Sequence, residues 1–100
     1  MEVIELAETK KRAAQRRRKA GDFDAAVVLM DEAIAALEAE HASLSGGTVT
    51  GERGRKLLEA LGDAYGTKGG ILRTAGRYDD SCEAYDRGYK FERNESANSY

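Results

Sequence analysis

"GDFDAAVVLMDEA", residues 21–33, and "GRYDDSCEAYDRG", residues 76–88, carry one pattern twice: glycine, an aromatic, a small residue, a large apolar residue and a second small residue, at identical intervals. Gly21, Phe23, Ala26, Met30 and Ala33 align with Gly76, Tyr78, Ser81, Tyr85 and Gly88. Recurrence at fixed spacing is the mark of a structure built from one supersecondary unit used more than once. The three- and four-residue intervals are helical, and the leading glycine suits the left-handed turn that ends a preceding helix. Each copy therefore reads as the entry into the second helix of a hairpin.

Working outward from these turns gives four helices. The first spans about Glu2 to Ala20 and stops at Gly21, after which Asp22 can cap a helix running to about His41. That second helix places Phe23, Val27, Met30, Ile34 and Leu37 on one wide apolar face, as expected of an element packed on more than one neighbour. "HASLSGGTVTGER", residues 41–53, is polar and glycine-rich and reads as a loop, with 42–51 its most cleavable part. The third helix spans about Gly54 to Ala75 and the fourth about Tyr78 to Arg93, leaving "NESANSY", 94–100, as a tail or the start of a further helix. Seven residues before each turn glycine stands another small residue, Ala14 and Gly69, where two helices of a hairpin need close approach. The absence of proline, sixteen alanines and only seven valines plus isoleucines support the same answer. The expected fold is all-α, two antiparallel helical hairpins in one domain over 1–93.

This arrangement of small and large residues resembles the tetratricopeptide (TPR) repeat, and "LGDAY", 61–65, is similar to its first-helix signature. The resemblance covers most of both hairpins. The turn glycines lie 55 residues apart, against a repeat of about 34 in that family, so longer helices and the loop must take up the difference. Lys10 and Arg17 stand where the family has large apolar residues, and its proline after the second helix is missing. The resemblance implies a concave groove lined by the first helix of each hairpin and a role in holding protein partners.

Composition limits the partners. At 34% charged, 41% apolar and a net charge of −2, the chain has the balance of a globular protein, and its global charge names no ligand. No apolar run approaches the length of a membrane span and no leader-like apolar block opens the chain, so the expected setting is the cytoplasm. Cys82 is the single cysteine, which rules out an internal disulfide; beside the tyrosines of the fourth helix it reads as a small core residue. His41 is the single histidine, and neither a Ser-His-Asp nor a Cys-His set can be assembled, so no catalytic site and no cofactor are read. Asp31-Glu32 and Asp79-Asp80 are adjacent in sequence and diverge on a helix, which suits solvated surface.

"YGTKGGILR", 65–73, is the stretch that poses the functional question. Its glycines have the spacing of neither a P-loop nor a dinucleotide fingerprint, and helical "KLLEAL" precedes it where both motifs need a strand. On a helix, Gly62, Gly66 and Gly70 form a ridge with Gly69 beside it and Arg73 at its end. Each interior glycine costs about 1 kcal/mol relative to alanine, so something must approach this face closely. One candidate is another helix, since small residues at four-residue spacing permit short interaxial distances. The other is a ligand: in a TPR-like stack Gly66, Gly70 and Arg73 would line the groove opposite Lys11, Gln15 and Arg18, a setting for a carboxylate or phosphate. Lys68 lies within the apolar stripe and reads as a snorkelling side chain or a further anion contact.

"KKRAAQRRRK", 10–19, distributes its charges around the helix without interleaved aromatics, which argues against nucleic acid. The second helix, with six acidic and no basic residues between Asp22 and His41, is its natural neighbour. Three functions stay open. The first is a protein-interaction or scaffold module holding a partner helix or acidic peptide. The second is a sensor for a small anionic, nucleotide-like ligand, because the stretch with "YDRGYKFE" (85–92) also looks like TPR-like sensor segments of bacterial signalling and conflict-response proteins, with Lys68 and Arg73 as the implied anion contacts. The third is a structural unit with the glycine ridge as a homodimer seam, or one piece of a larger array.

Overall fold

Two glycine turns with the same backbone and the same bonds set the architecture. Gly21 and Gly76 have φ of +82° and +81°, the left-handed region that side chains with a Cβ rarely enter. Gly21 N donates to Arg18 O and Gly76 N to Arg73 O, each at 3.0 Å; Asp22 N donates to Arg17 O and Arg77 N to Leu72 O, each at 2.9 Å. These bonds satisfy the last carbonyls of one helix and reverse the chain into the next. The computed structural model, which describes residues 2–45 and 51–97, accordingly contains four helices: α1 (Val3–Lys19), α2 (Phe23–Ser45), α3 (Glu52–Thr74) and α4 (Tyr78–Ala97). No strand occurs among the described residues. The all-α, two-hairpin reading therefore holds.

Within the hairpins α1 packs on α2 and α3 on α4; α2 and α1 both pack on α3, which makes α3 the central element. The small residues of the pattern sit at the crossings. Ala14, Ala26 and Ala33 are fully buried, and their counterparts Gly69, Ser81 and Gly88 are buried too. Met30, Leu37, Leu57, Leu61, Ile71 and Leu72 fill the interior, each such side chain contributing about 1.5–3 kcal/mol by leaving water. Ser81 Oγ donates to Gly69 O at 2.8 Å, so the one buried hydroxyl of the pattern is satisfied and ties α4 to α3.

The helices are longer than the sequence suggests. The stretch read as a loop over 41–53 is entered from both sides, α2 running to Ser45 and α3 starting at Glu52. Leu44 packs against the core, which extends α2 past the expected end at His41. Arg53 bonds the Glu2 carboxylate and lies 3.6 Å from Glu40, which holds the start of α3 between the N-cap of α1 and the last turns of α2. Of the segment expected to be most cleavable, 42–51, residues 46–50 lie outside the described residues. α4 likewise continues through 94–97, with 98–100 outside the described residues. His41 does not end its helix; its ring meets Phe91 edge-on at 6.5 Å, and Phe91 stacks on Tyr65 at 5.7 Å.

Candidate functional site

The fold divides the glycines of α3 into two groups. A Cβ built on Gly88 would stand 3.1 Å from Tyr65 Cβ and 3.2 Å from Gly62 O, and one on Gly69 would stand 3.0 Å from the Tyr85 ring. At Gly62 and Gly69 the close approach is therefore that of α4, the helix-packing alternative. Gly66 and Gly70 differ. Among the described residues and beyond its own helix, a Cβ on Gly66 would meet nothing within 4 Å, and one on Gly70 would meet the Tyr85 hydroxyl at 3.6 Å and Arg18 Nη1 at 3.9 Å. Gly66 thus leaves open backbone on the surface of hairpin two, and Gly70 lies under the Tyr85 hydroxyl and the Arg18 guanidinium.

Beside this backbone runs an exposed aromatic stripe. Tyr78 is 64%, Tyr85 42% and Tyr89 58% exposed, and Cys82 is exposed between them. The expectation that Cys82 sits in the core is corrected here, and the tyrosines that flank it are at the surface with it. The pattern itself explains the error: Phe23 and Met30, their equivalents in hairpin one, are half-buried and fully buried respectively, because α3 lies over them. Met30 shares a cavity wall with Ala60 and Ala64 of α3. No fifth helix does the same for hairpin two among the described residues.

The groove residues of α1 grip the same covering helix. Lys11 Nζ donates to Asp63 Oδ2 at 2.9 Å, and Arg18 Nη2 donates to Thr74 Oγ1 at 2.8 Å, whose hydroxyl donates onward to Gly70 O at 2.9 Å. By the register of the pattern, Lys11, Gln15 and Arg18 correspond to Gly66, Gly70 and Arg73. Gln15 and Arg73 are exposed. The structure thus brings Arg18, Gly70, Thr74 and Tyr85 together, while the charge of Lys11 is answered by Asp63.

Lys68 lies elsewhere. It pairs with Asp31 of α2 at 2.6 Å and lines a cavity of about 200 Å³ between α2, α3 and α4, apart from Lys11 and Arg18. Its apolar surroundings include Val27 and Leu72 in that cavity wall, so it combines a buried stem with a paired head. Arg77 and Arg87, which also line this cavity, are paired with Asp80 and Glu83 at 3.0 and 2.9 Å. At its far end Tyr65 donates to Glu38. Burial first, and that bond second, push the Tyr65 phenol above its ordinary range, so it stays protonated and structural.

The basic run is sorted by its neighbours. Lys10 pairs with Glu32 at 3.6 Å and Arg17 with Asp22 at 4.0 Å, so α2 takes part of the charge as expected. Arg12, Arg16 and Lys19 are exposed and meet no carboxylate within 4 Å among the described residues. No cluster of three metal-ligating side chains occurs among the described residues, and no described helix is long and apolar enough to cross a membrane. What the open face can do chemically is present tyrosine rings, bare backbone and arginine side by side. The signal that sets Tyr85 apart is one of register: its equivalent Met30 is buried where α3 follows hairpin one, and no helix follows α4 among the described residues. No protein-family model, curated protein or solved structure matches the chain.

Proposed function

We propose that the protein is a non-catalytic interaction module, TPR-like in design, that seats a helix of a protein partner on the open face formed by α3 and α4. One observation carries this reading: hairpin two presents, uncovered by any further described helix, the positions by which hairpin one holds α3. Met30 is fully buried and its equivalent Tyr85 is 42% exposed, and Lys11, bonded to Asp63, has its equivalent in the open Gly66. Exposed tyrosines supply large contact area at low entropic cost and are frequent energetic anchors of interfaces. A glycine floor lets an incoming helix approach to the short end of the interaxial range, about 8 Å. Arg73 and Arg18 at one end favour an acidic residue on the partner through charge-assisted bonds. The lone cysteine suits a reducing compartment, and we place the module in the cytoplasm, in a scaffolding or signalling role.

The test is selection of helical peptides from a displayed library against the full chain, with binding mapped by amide chemical shifts. Shifts centred on Gly66, Gly70, Tyr85 and Tyr89 support the reading. Selected helices that bind α1 or α2 instead would end it.

A second reading, a seat for a small anion, is favoured by Arg18 Nη1 and the Tyr85 hydroxyl, which both lie within 4 Å of the Cβ position of Gly70. It predicts that inorganic phosphate or nucleotides raise the melting temperature by mass action and that Arg18→Ala removes the effect.

A further inference from the structure

We propose that the cavity between α2, α3 and α4 is a binding site for a small zwitterion, an amino acid with an aliphatic side chain. The space exists because α3 packs on both α2 and α4, while those two do not pack on each other among the described residues. Its volume is about 200 Å³. The floor is apolar: Leu72 and Ala84 are buried, and Val27 stands half-buried beside them. The rim is charged, and its charges come in pairs. Lys68 of α3 meets Asp31 of α2 at 2.6 Å, Arg77 meets Asp80 at 3.0 Å and Arg87 meets Glu83 at 2.9 Å. An apolar pocket with a few convergent polar groups is the usual form of a small-molecule site.

Size and charge together choose the ligand class. The volume exceeds the roughly 150 Å³ of a cavity that holds benzene and falls short of the roughly 300–1,000 Å³ of pockets for drug-sized molecules. That admits a molecule of leucine's size and leaves out a nucleotide. The three cations and three carboxylates of the rim cancel, so neither a polyanion nor a polyamine meets a net opposite charge there. A zwitterion asks for something else, a cation and an anion side by side. Lys68 and Asp31 supply them, and the ligand lies antiparallel to this pair, its carboxylate toward the Lys68 ammonium and its ammonium toward the Asp31 carboxylate. The pair stays intact, because an ammonium has three donors and a carboxylate about four acceptor sites.

Lys68 is the anchor because it is the most sheltered cation of the rim. Its side chain is 25% exposed, against 49% for Arg77 and 57% for Arg87, so water weakens its charge-assisted bonds least. From that anchor the aliphatic side chain of the ligand runs over Val27, Leu72 and Ala84 and takes their apolar surface out of water. The site goes beyond the open face and is distinct from it. α4 turns Ala84 and Arg87 to the cavity and leaves Tyr85 exposed on its other flank, and neither Arg18 nor Gly70 lines the cavity. Its test is therefore independent of both readings above.

Titration of the full chain, followed by its amide chemical shifts, tests this with L-leucine, with isocaproate and isoamylamine, which keep the side chain and one charge each, and with inorganic phosphate. The expected result is saturable shifts at Val27, Lys68, Leu72 and Ala84 with leucine, and binding weaker by about tenfold or more for isocaproate and for isoamylamine. Phosphate should leave those four amides in place. Lys68→Met and Asp31→Asn should each weaken leucine binding by about tenfold or more. Val27→Phe, which fills the cavity and leaves every charge, should abolish it while the helical circular dichroism is kept. If a charge variant loses its helical signal, the four ligands on the parent chain decide. No saturable shift with leucine, isocaproate or phosphate binding at these amides as tightly as leucine, shifts centred on Arg18 and Tyr85, or unchanged binding in Val27→Phe would overturn the proposal.

Discussion

Met30 and Tyr85 occupy the same place in two copies of one pattern, yet Met30 is fully buried and Tyr85 is 42% exposed. What separates them is α3, which lies over hairpin one, while no further described helix lies over its far side and α4. Each prediction below depends on that asymmetry or on the contacts that produce it.

Gly88 and Gly66 should respond oppositely to alanine. At Gly88 the new methyl would stand 3.2 Å from the backbone oxygen of Gly62 and 3.1 Å from Tyr65 Cβ. Backbone yields little, and overpacking of this kind costs about 1–3 kcal/mol, more than the roughly 1 kcal/mol that alanine gains in helix propensity. At Gly66 the methyl meets open space and the propensity gain stands alone. Urea denaturation should show Gly88→Ala destabilised and Gly66→Ala stabilised by up to about 1 kcal/mol. Equal shifts of the same sign would contradict the packing described.

Cys82 should react as a surface thiol. It is exposed on α4 among the tyrosines, so a colorimetric disulfide reagent added to dilute native protein should titrate one thiol without denaturant. Protection lifted only by unfolding would put Cys82 in the core and remove the open face with it.

Acid should loosen the junction of α1 with α3 first. The Glu2 carboxyl is held below its ordinary value of 4.5, chiefly by its bond from Arg53 and next by the Ile4 amide it caps. A depressed folded value means that its contribution is complete above about pH 4.5 and is lost as the pH falls through the folded value. Glu2→Gln should lower Tm at neutral pH and flatten the acid limb of the Tm profile below that point. An unchanged acid limb would show that the Arg53 contact does not persist in solution.

Much of the fold is legible in the sequence because its determinants are local. Gly21 and Gly76 mark the turns by their freedom at positive φ, and Ala26, Ala33, Ser81 and Gly88 mark the crossings by size. The ends near 41–53 are not legible, since Leu44 and Arg53 are recruited by residues distant in the chain, the core and the Glu2–Glu40 pair. The site is legible in part. Small residues at four-residue spacing announce close approach, but only the fold separates Gly62 and Gly69, filled by α4, and Gly70, met by Tyr85 and Arg18, from Gly66, left open. Lys68 is ambiguous for the same reason: its partner Asp31 is on another helix. Tyr85 and Tyr89 fall on an apolar stripe, and a stripe alone does not say whether an element exists to cover it.

The central claim, that the open face of α3 and α4 receives a helix, is tested most directly by Gly66→Leu, measured for thermal stability and for binding of a selected helix in the same preparation. A Cβ at this position meets nothing within 4 Å beyond its own helix among the described residues, and leucine replaces a poor helix former with a good one. The account predicts a Tm equal to or above that of the parent with helix binding abolished. A lowered Tm with binding retained would contradict it.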